Sequence, residues 1–262
     1  MSSFDTLHHP PGRHIGVWTA YQRAMLSQLR PAMLALALLP ILAFAIVWGI
    51  AFWFGWAWWL GLLDRWLALI PWAGKWFSHA PEAGSGWFAA LLAGTLALLF
   101  YVLAVLVSAL TFVSVFGMPV MLRHVAAVDY PQLQRLQGGS VTGSISNGLW
   151  AVLWFVVLAA VTLPLWFVPV LGWFVPLILL GLLNARVLRY DALSEHASAA
   201  EMERLKRAPW LHWRLLGFVG AVFNVVPVLW FFSTTLTGLA FIHYALAALA
   251  AERAKTNQGN PQ

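Results

Sequence analysis

The chain contains no cysteine. That absence excludes disulfides, thiolate metal sites, iron–sulfur ligation and cysteine catalysis, and it leaves the redox compartment open. Charge is also scarce. Charged residues make up 9% of the sequence, against about 25% in soluble domains, and nine of them are carboxylates. Glu195, Glu201 and Glu203 fall on one charge-mixed stretch read as a solvated linker helix. No nucleophile–base pair or metal-ligand cluster stands at a usable spacing, so the chain is read as a non-enzyme with no metal and no cofactor.

Apolar residues fill the space instead. Hydrophobic residues reach 61%, aromatics 15%, and the mean hydropathy is +0.78. This composition predicts an all-α integral membrane protein. Its 262 residues leave room for one membrane domain, 16–250, between a disordered tail at 1–15 and a polar tail at 251–262. The tail histidines His8, His9 and His14 impose no geometry for a metal. The first apolar run, beginning at residue 32, is too long for the core of a secretory signal. A net charge of +6 is read as positive flanking of membrane segments, with the lipid bilayer and not nucleic acid as partner.

Residues 16–30 carry Trp18, Tyr21, Met25 and Leu29 at helical spacing, which predicts an amphipathic helix on the membrane surface. Two long apolar runs follow, 32–63 and 87–116, which as helices measure about 48 and 45 Å against a hydrocarbon core of about 30 Å. They are read as tilted or kinked transmembrane helices, with Pro40 or Gly49 a bend in the first. Between them Trp66, Trp72, Trp76 and Phe77 suggest an outer interfacial belt. The glycine-rich 138–148 lacks the lysine of a phosphate loop and is read as a flexible lead-in, with Ser146 or Asn147 capping the next helix.

Two further apolar runs, 149–187 and 215–250, are broken near their middles by Pro169 and Pro227. Proline removes a backbone donor and ends helices, so each run is read as a Pro-centred helical hairpin with Pro169 or Pro227 at its tip. At about 39 and 36 residues they fall short of the roughly 44 that two crossings and a turn need, which favours re-entrant hairpins over full spans. The charged stretch 188–214 between them is a cytoplasmic linker, and together they look like a duplicated unit. With both termini inside, every Lys and Arg except Arg65 and Lys75 lies on the cytoplasmic side, thirteen against two.

The order of elements, LRPAMLALALLP, an apolar helix pair, PVLGWFVP followed by RVLRYDAL, and a hairpin ending FIHYALAAL, resembles the CysZ-type sulfate permease family, grouped with the etoposide-induced membrane proteins. The resemblance covers about residues 15–250. It implies two long transmembrane helices, two partly penetrating hairpins, a homo-oligomer in the bacterial inner membrane, and sulfate as cargo. The family's Gly-Leu-Arg before its first long helix, linked to sulfate, reads here as Gln28, Leu29, Arg30 and Pro31, without the glycine or a second arginine. Its proline–phenylalanine pair is Pro119-Val120, and an asparagine expected near the first-helix proline is absent at Ala43 and Phe44.

Candidate anion contacts are Arg30, before a helix N-terminus that favours negative charge, and Arg186 and Arg189, ending the first hairpin arm. For each of them an interfacial anchor is the favoured reading. Asn184 and Asn224 lie within apolar arms, and Asp191 either pairs with Arg189 or caps a helix. These three are read as pathway or helix-bridging groups. His243 and Tyr244 form either a proton-linked pair or an aromatic anchor. Ser108, Thr111 and Ser114 either line a pore or bond back to their helix. The expected function is an oxyanion permease or channel, sulfate first, without nucleotide hydrolysis. The alternative is a scaffold or lipid-interacting protein whose basic face is Arg204, Lys206, Arg207 and Arg214.

Overall fold

The computed structural model describes residues 15–69, 86–207 and 210–258. The tail with His8, His9 and His14, the belt residues Trp72, Trp76 and Phe77, the side chains of Trp66 and Ser114, and residues 259–262 lie outside the described set. Among the described residues the regular elements are all helices, without strands: α1 Val17–Gln28, α2 Pro31–Ala68, α3 Gly86–Phe112, a π turn Val113–Gly117, α4 Met118–Asp129, α5 Val141–Trp166, α6 Leu171–Ser194, α7 Ala199–Arg207, α8 Trp210–Phe223 and α9 Pro227–Gln258. Five of them (α2, α3, α5, α6 and α9) are long and apolar enough to cross a membrane. This is a multi-pass, all-helical membrane protein. The chain forms two compact units, Leu38–Phe112 and the remainder.

The Leu38–Phe112 unit is an antiparallel pair made by α3 and most of α2. Lipid is as apolar as leucine, so helices there associate through close packing and polar bridges instead of a hydrophobic drive. Trp48 donates to Ser108 Oγ (3.1 Å) and Tyr101 to the Ala45 carbonyl (2.9 Å). Phe52 stacks on Trp59, and Phe100 and Tyr101 meet that pair across the seam. Thr111 bonds back to the Val107 carbonyl, and Ser108 accepts the Trp48 indole N–H, so both hydroxyls take part in contacts within this helix pair. The outward residues, among them Trp53 and Phe54, are exposed apolar groups suited to acyl chains.

The larger unit is built around α9. Its stretch Leu239–Leu249 alternates small and large apolar residues on every side, the pattern of a helix that is enclosed. The most apolar part of α9 is 89% buried, against 6% for α5. Helix α1 lies on α9, but through Ala20, Tyr21, Ala24, Ser27 and Gln28. The expected stripe of Trp18, Met25 and Leu29 points outward, because small residues allow the closer backbone approach. Tyr21 alone of that stripe is buried, donating to the Leu216 carbonyl at 2.7 Å. Pro119 sits in the first turn of α4 directly after the π turn. A proline there removes one helical donor, and the wider turn absorbs the break.

The first hairpin turns at Phe167–Val170, with Pro169 in the turn. Its arms are longer than the apolar run suggests. Helix α5 begins at Val141, capped by the Ser140 hydroxyl that accepts from Gly143 N–H (3.0 Å), and not at Ser146 or Asn147. The polar 141–148 is therefore helix, not a flexible lead-in. Helix α6 runs on to Ser194, which carries Arg186 and Arg189 inside the arm. At about 39 and 36 Å both arms exceed the roughly 30 Å core, so length no longer favours a re-entrant form for this hairpin. The turn's N–H groups of Phe167, Val168, Leu171 and Gly172 bond to nearby carbonyls, which a turn facing lipid requires. Val170 holds φ +72°, a conformation that costs a β-branched residue about 1–3 kcal/mol.

The second hairpin differs. Helix α8 has 14 residues, about 21 Å, and α9 has 32. Asn224–Val226 form the turn, and Pro227 is the first residue of α9, where its missing N–H is harmless. The duplication is thus one of turn placement and not of arm length. Asn224 sits in that turn, not within an arm, with its N–H on Gly220 and Ala221 carbonyls. Helix α9 continues to Gln258, through most of the expected polar tail.

A polar clasp closes the charged end of this unit. Segment 136–139 bonds to 194–197 through four backbone hydrogen bonds of 2.8–3.4 Å. A Cβ on Gly138 or Gly139 would overlap that partner strand of backbone. Ser198 and Glu201 form a reciprocal capping box at the start of α7. Arg253 donates to Glu201 (2.8 Å) and to the carbonyls of Gln134 and His196 (2.9 and 2.7 Å). Glu201 is therefore a buried clasp residue and not part of a solvated face. Burial alone would raise its carboxyl, but the bonds from Arg253 and Ser198 hold it below the usual carboxylate range.

Candidate functional site

Helices α6 and α8 touch backbone to backbone. A Cβ on Gly217 would overlap the Gly181 carbonyl and stand 3.0 Å from Ala185 N. A Cβ on Gly181 would stand 2.9 Å from Phe218 Cα. Glycine at both positions removes the side-chain spacer, the usual device for close helix pairs in lipid. One turn from this contact lie Arg186 and Arg189 on α6 and Arg214 on α8.

Arg186 and Arg214 both act electrostatically on Arg189, and Glu203 is its counter-charge. Glu203 itself bonds to Lys206 (3.3 Å) and Arg207 (3.4 Å). Among the described residues neither the Arg186 nor the Arg189 guanidinium has a hydrogen-bond or ion-pair partner, though both are half-buried. Arg214 lies 4.5 Å over the Trp210 ring, a cation–π contact that leaves its N–H fork open. Asn147 of α5 ties the two arms by donating to the Arg186 carbonyl (3.2 Å).

The other expected site residues go elsewhere. Arg30 donates both terminal nitrogens to Asp129, at 2.9 and 2.8 Å, so its fork is filled by a carboxylate of the same chain. Asp191 neither pairs with Arg189 nor caps a helix; its Oδ1 is buried without a hydrogen-bond partner among the described residues, and the Ser144 hydroxyl of α5 is the nearby polar group. Asn184 is half-buried on α6 with no partner among the described residues. His243 and Tyr244 point apart. His243 Nε2 meets Ser27 Oγ at 2.9 Å, and its carbonyl accepts from Tyr130, which in turn accepts from Arg23. Tyr244 packs edge-on to Trp213 (4.7 Å) and stacks on His212. Pro169 and Pro227 stand at the hairpin turns, away from the arginines.

In the basic face expected of a scaffold, Arg204 pairs with Glu252 (3.2 Å) and Lys206 and Arg207 share Glu203, so its four cations meet two carboxylates. Sequence reasoning missed the grouping of Arg214 with the α6 arginines, and it missed Asp129 as the partner of Arg30. The capping signature Ser198-x-x-Glu201 was readable and pointed to a folded linker.

A family model described as sulfate transporter CysZ/etoposide-induced protein 2.4 matches residues 20–234, from α1 into the first turns of α9. Neither the curated proteins nor the solved structures compared with the chain gave a match. With five helices fit to cross a membrane and the match spanning most of the sequence, the chain belongs to the sulfate transporter CysZ/etoposide-induced protein 2.4 family.

Proposed function

We propose that the protein is a permease or channel for a small oxyanion, sulfate first, working without nucleotide hydrolysis. The observation that carries this reading is the family match over residues 20–234, whose description names a sulfate transporter. The arginines of α6 supply the supporting chemistry. A guanidinium donates two parallel N–H bonds to a tetrahedral oxyanion, and half-buried cations attract anions through a field that water screens poorly. With Arg30 closed on Asp129, Arg186 and Arg189 are the cations this reading assigns to first contact. Asn184, one turn before Leu188 on the same helix, is the neutral donor that would follow.

In this reading the arginine end lies in the cytoplasm with both termini inside, which the Lys and Arg bias supports, and the membrane is the bacterial inner membrane, as the family resemblance implies. A homo-oligomer would enclose the path, since α5 exposes apolar surface along its whole length. The test is radiolabelled sulfate uptake into liposomes holding the purified protein. Uptake above empty liposomes, unchanged by added nucleotide, supports the proposal. Uptake that requires nucleotide refutes the passive mechanism, and absence of uptake from folded protein refutes the permease.

A further inference from the structure

We infer that Arg214 completes, with Arg186 and Arg189, a three-guanidinium site for one tetrahedral oxyanion, the chemistry shared by free sulfate and the phosphate of an anionic lipid. The sulfate arm of this inference rests on the permease reading; the site itself does not.

The argument begins with the glycine contact. Gly181 and Gly217 fix the α6–α8 crossing at backbone distance, so the residues a turn away cannot drift apart. Those residues are three like charges, Arg186 and Arg189 half-buried on α6 and Arg214 exposed on α8, and both Arg186 and Arg214 act on Arg189. A partly buried charge without a counter-charge is costly, so an anion that answers Arg186 and Arg189 would lower the energy of this end of α6. Glu203, the carboxylate that acts on Arg189, is shared with Lys206 and Arg207, and no carboxylate makes an ion pair with Arg186, Arg189 or Arg214 among the described residues. Arg186 and Arg189 are three apart on a helix and so share a face, and Arg214 of the adjoining helix rests 4.5 Å over the Trp210 ring. Arg204, Lys206 and Arg207, which have carboxylate partners, stand outside the site.

Both ligand sources reach this place. The site lies at the charged end of α6, open to ions from water. Its flank on α8 presents Trp210, Leu211 and Leu215, all exposed, which would lie along the acyl chains of a bound lipid.

The experiment uses full-length protein in nanodiscs of zwitterionic lipid. Bound radiolabelled sulfate is measured by equilibrium dialysis, and retained phosphatidylglycerol by native mass spectrometry of protein taken from mixed bilayers. Variants are Arg214→Gln, Arg186→Gln/Arg189→Gln and Arg214→Lys, with Arg204→Gln as a control outside the site and thermal melts to confirm folding. The expected result is that Arg214→Gln weakens one of the two ligands about tenfold or more, that the double variant abolishes it, and that Arg204→Gln changes neither. Arg214→Lys keeps the charge, loses the fork and falls between. Loss of sulfate identifies the free anion, and loss of phosphatidylglycerol identifies the headgroup. Binding of neither ligand to wild type, or equal binding by all variants, overturns the site. Wild type that binds sulfate but carries none across liposomes keeps the site and refutes the permease reading.

Discussion

Gly217→Ala is the sharpest test of how the larger unit is held together. The added methyl overlaps the Gly181 carbonyl and stands 3.0 Å from Gly181 C and Ala185 N, whereas carbon contacts are comfortable at about 3.5–4.0 Å. The helices must part by roughly half to one ångström, which strips contact from the whole crossing. Overpacking of this kind costs about 1–3 kcal/mol, offset in part by the roughly 1 kcal/mol that alanine gains over glycine within a helix. The net loss is about 0–2 kcal/mol, which puts Gly217→Ala about 1–3 kcal/mol below Gly148→Ala, and Gly217→Val loses more. Gly148→Ala is the internal control, because a Cβ there meets nothing within 4 Å and the helix preference acts alone. Unfolding in mixed micelles with rising dodecyl sulfate, followed by tryptophan fluorescence, reads both. Gly217→Ala as stable as Gly148→Ala would refute the backbone crossing, and with it the rigid grouping of the three arginines.

The clasp gives two further predictions. Arg253→Ala leaves the buried Glu201 carboxylate and two carbonyls without their partner, and should cost about 3 kcal/mol in the same assay; a loss under about 1 kcal/mol would mean the clasp is ornamental. Acid should weaken the fold in two stages. Burial, reinforced by Arg135, pushes the His196 imidazole below its ordinary value, so its contribution is present above an unfolded pKa of about 6.5 and is lost as pH falls towards the folded one. Glu201, held below the carboxylate range, adds a loss only at still lower pH, below about 4. Melting temperatures from pH 8 to 2 should be flat and then fall, with His196→Gln removing the upper stage; an identical profile in that variant would contradict the assignment.

Composition alone was enough for the membrane class, and proline chemistry placed both turns, because each depends on local properties of the chain. Helix limits were less legible. Polar residues at 141–148 and 188–194 lengthen α5 and α6 beyond their apolar cores, since a helix needs only its backbone bonds to continue past the lipid boundary. The asymmetry of the second hairpin was hidden because α9 is apolar for enclosure in protein and α5 for exposure to lipid, two environments that select similar residues. Long-range partners could not be read at all. Arg30 and Asp129 stand 99 residues apart, and Ser27 and His243 stand 216 apart. Glycines 181 and 217 look ordinary until their helices cross.

The measurement that bears most directly on the function is sulfate uptake by wild type, Arg186→Gln/Arg189→Gln and Arg30→Ala in matched liposomes, normalised to folded protein. The account predicts uptake by wild type, its loss in the α6 double variant, and its retention in Arg30→Ala, whose guanidinium serves Asp129. Uptake that survives the double variant and vanishes with Arg30→Ala would contradict it.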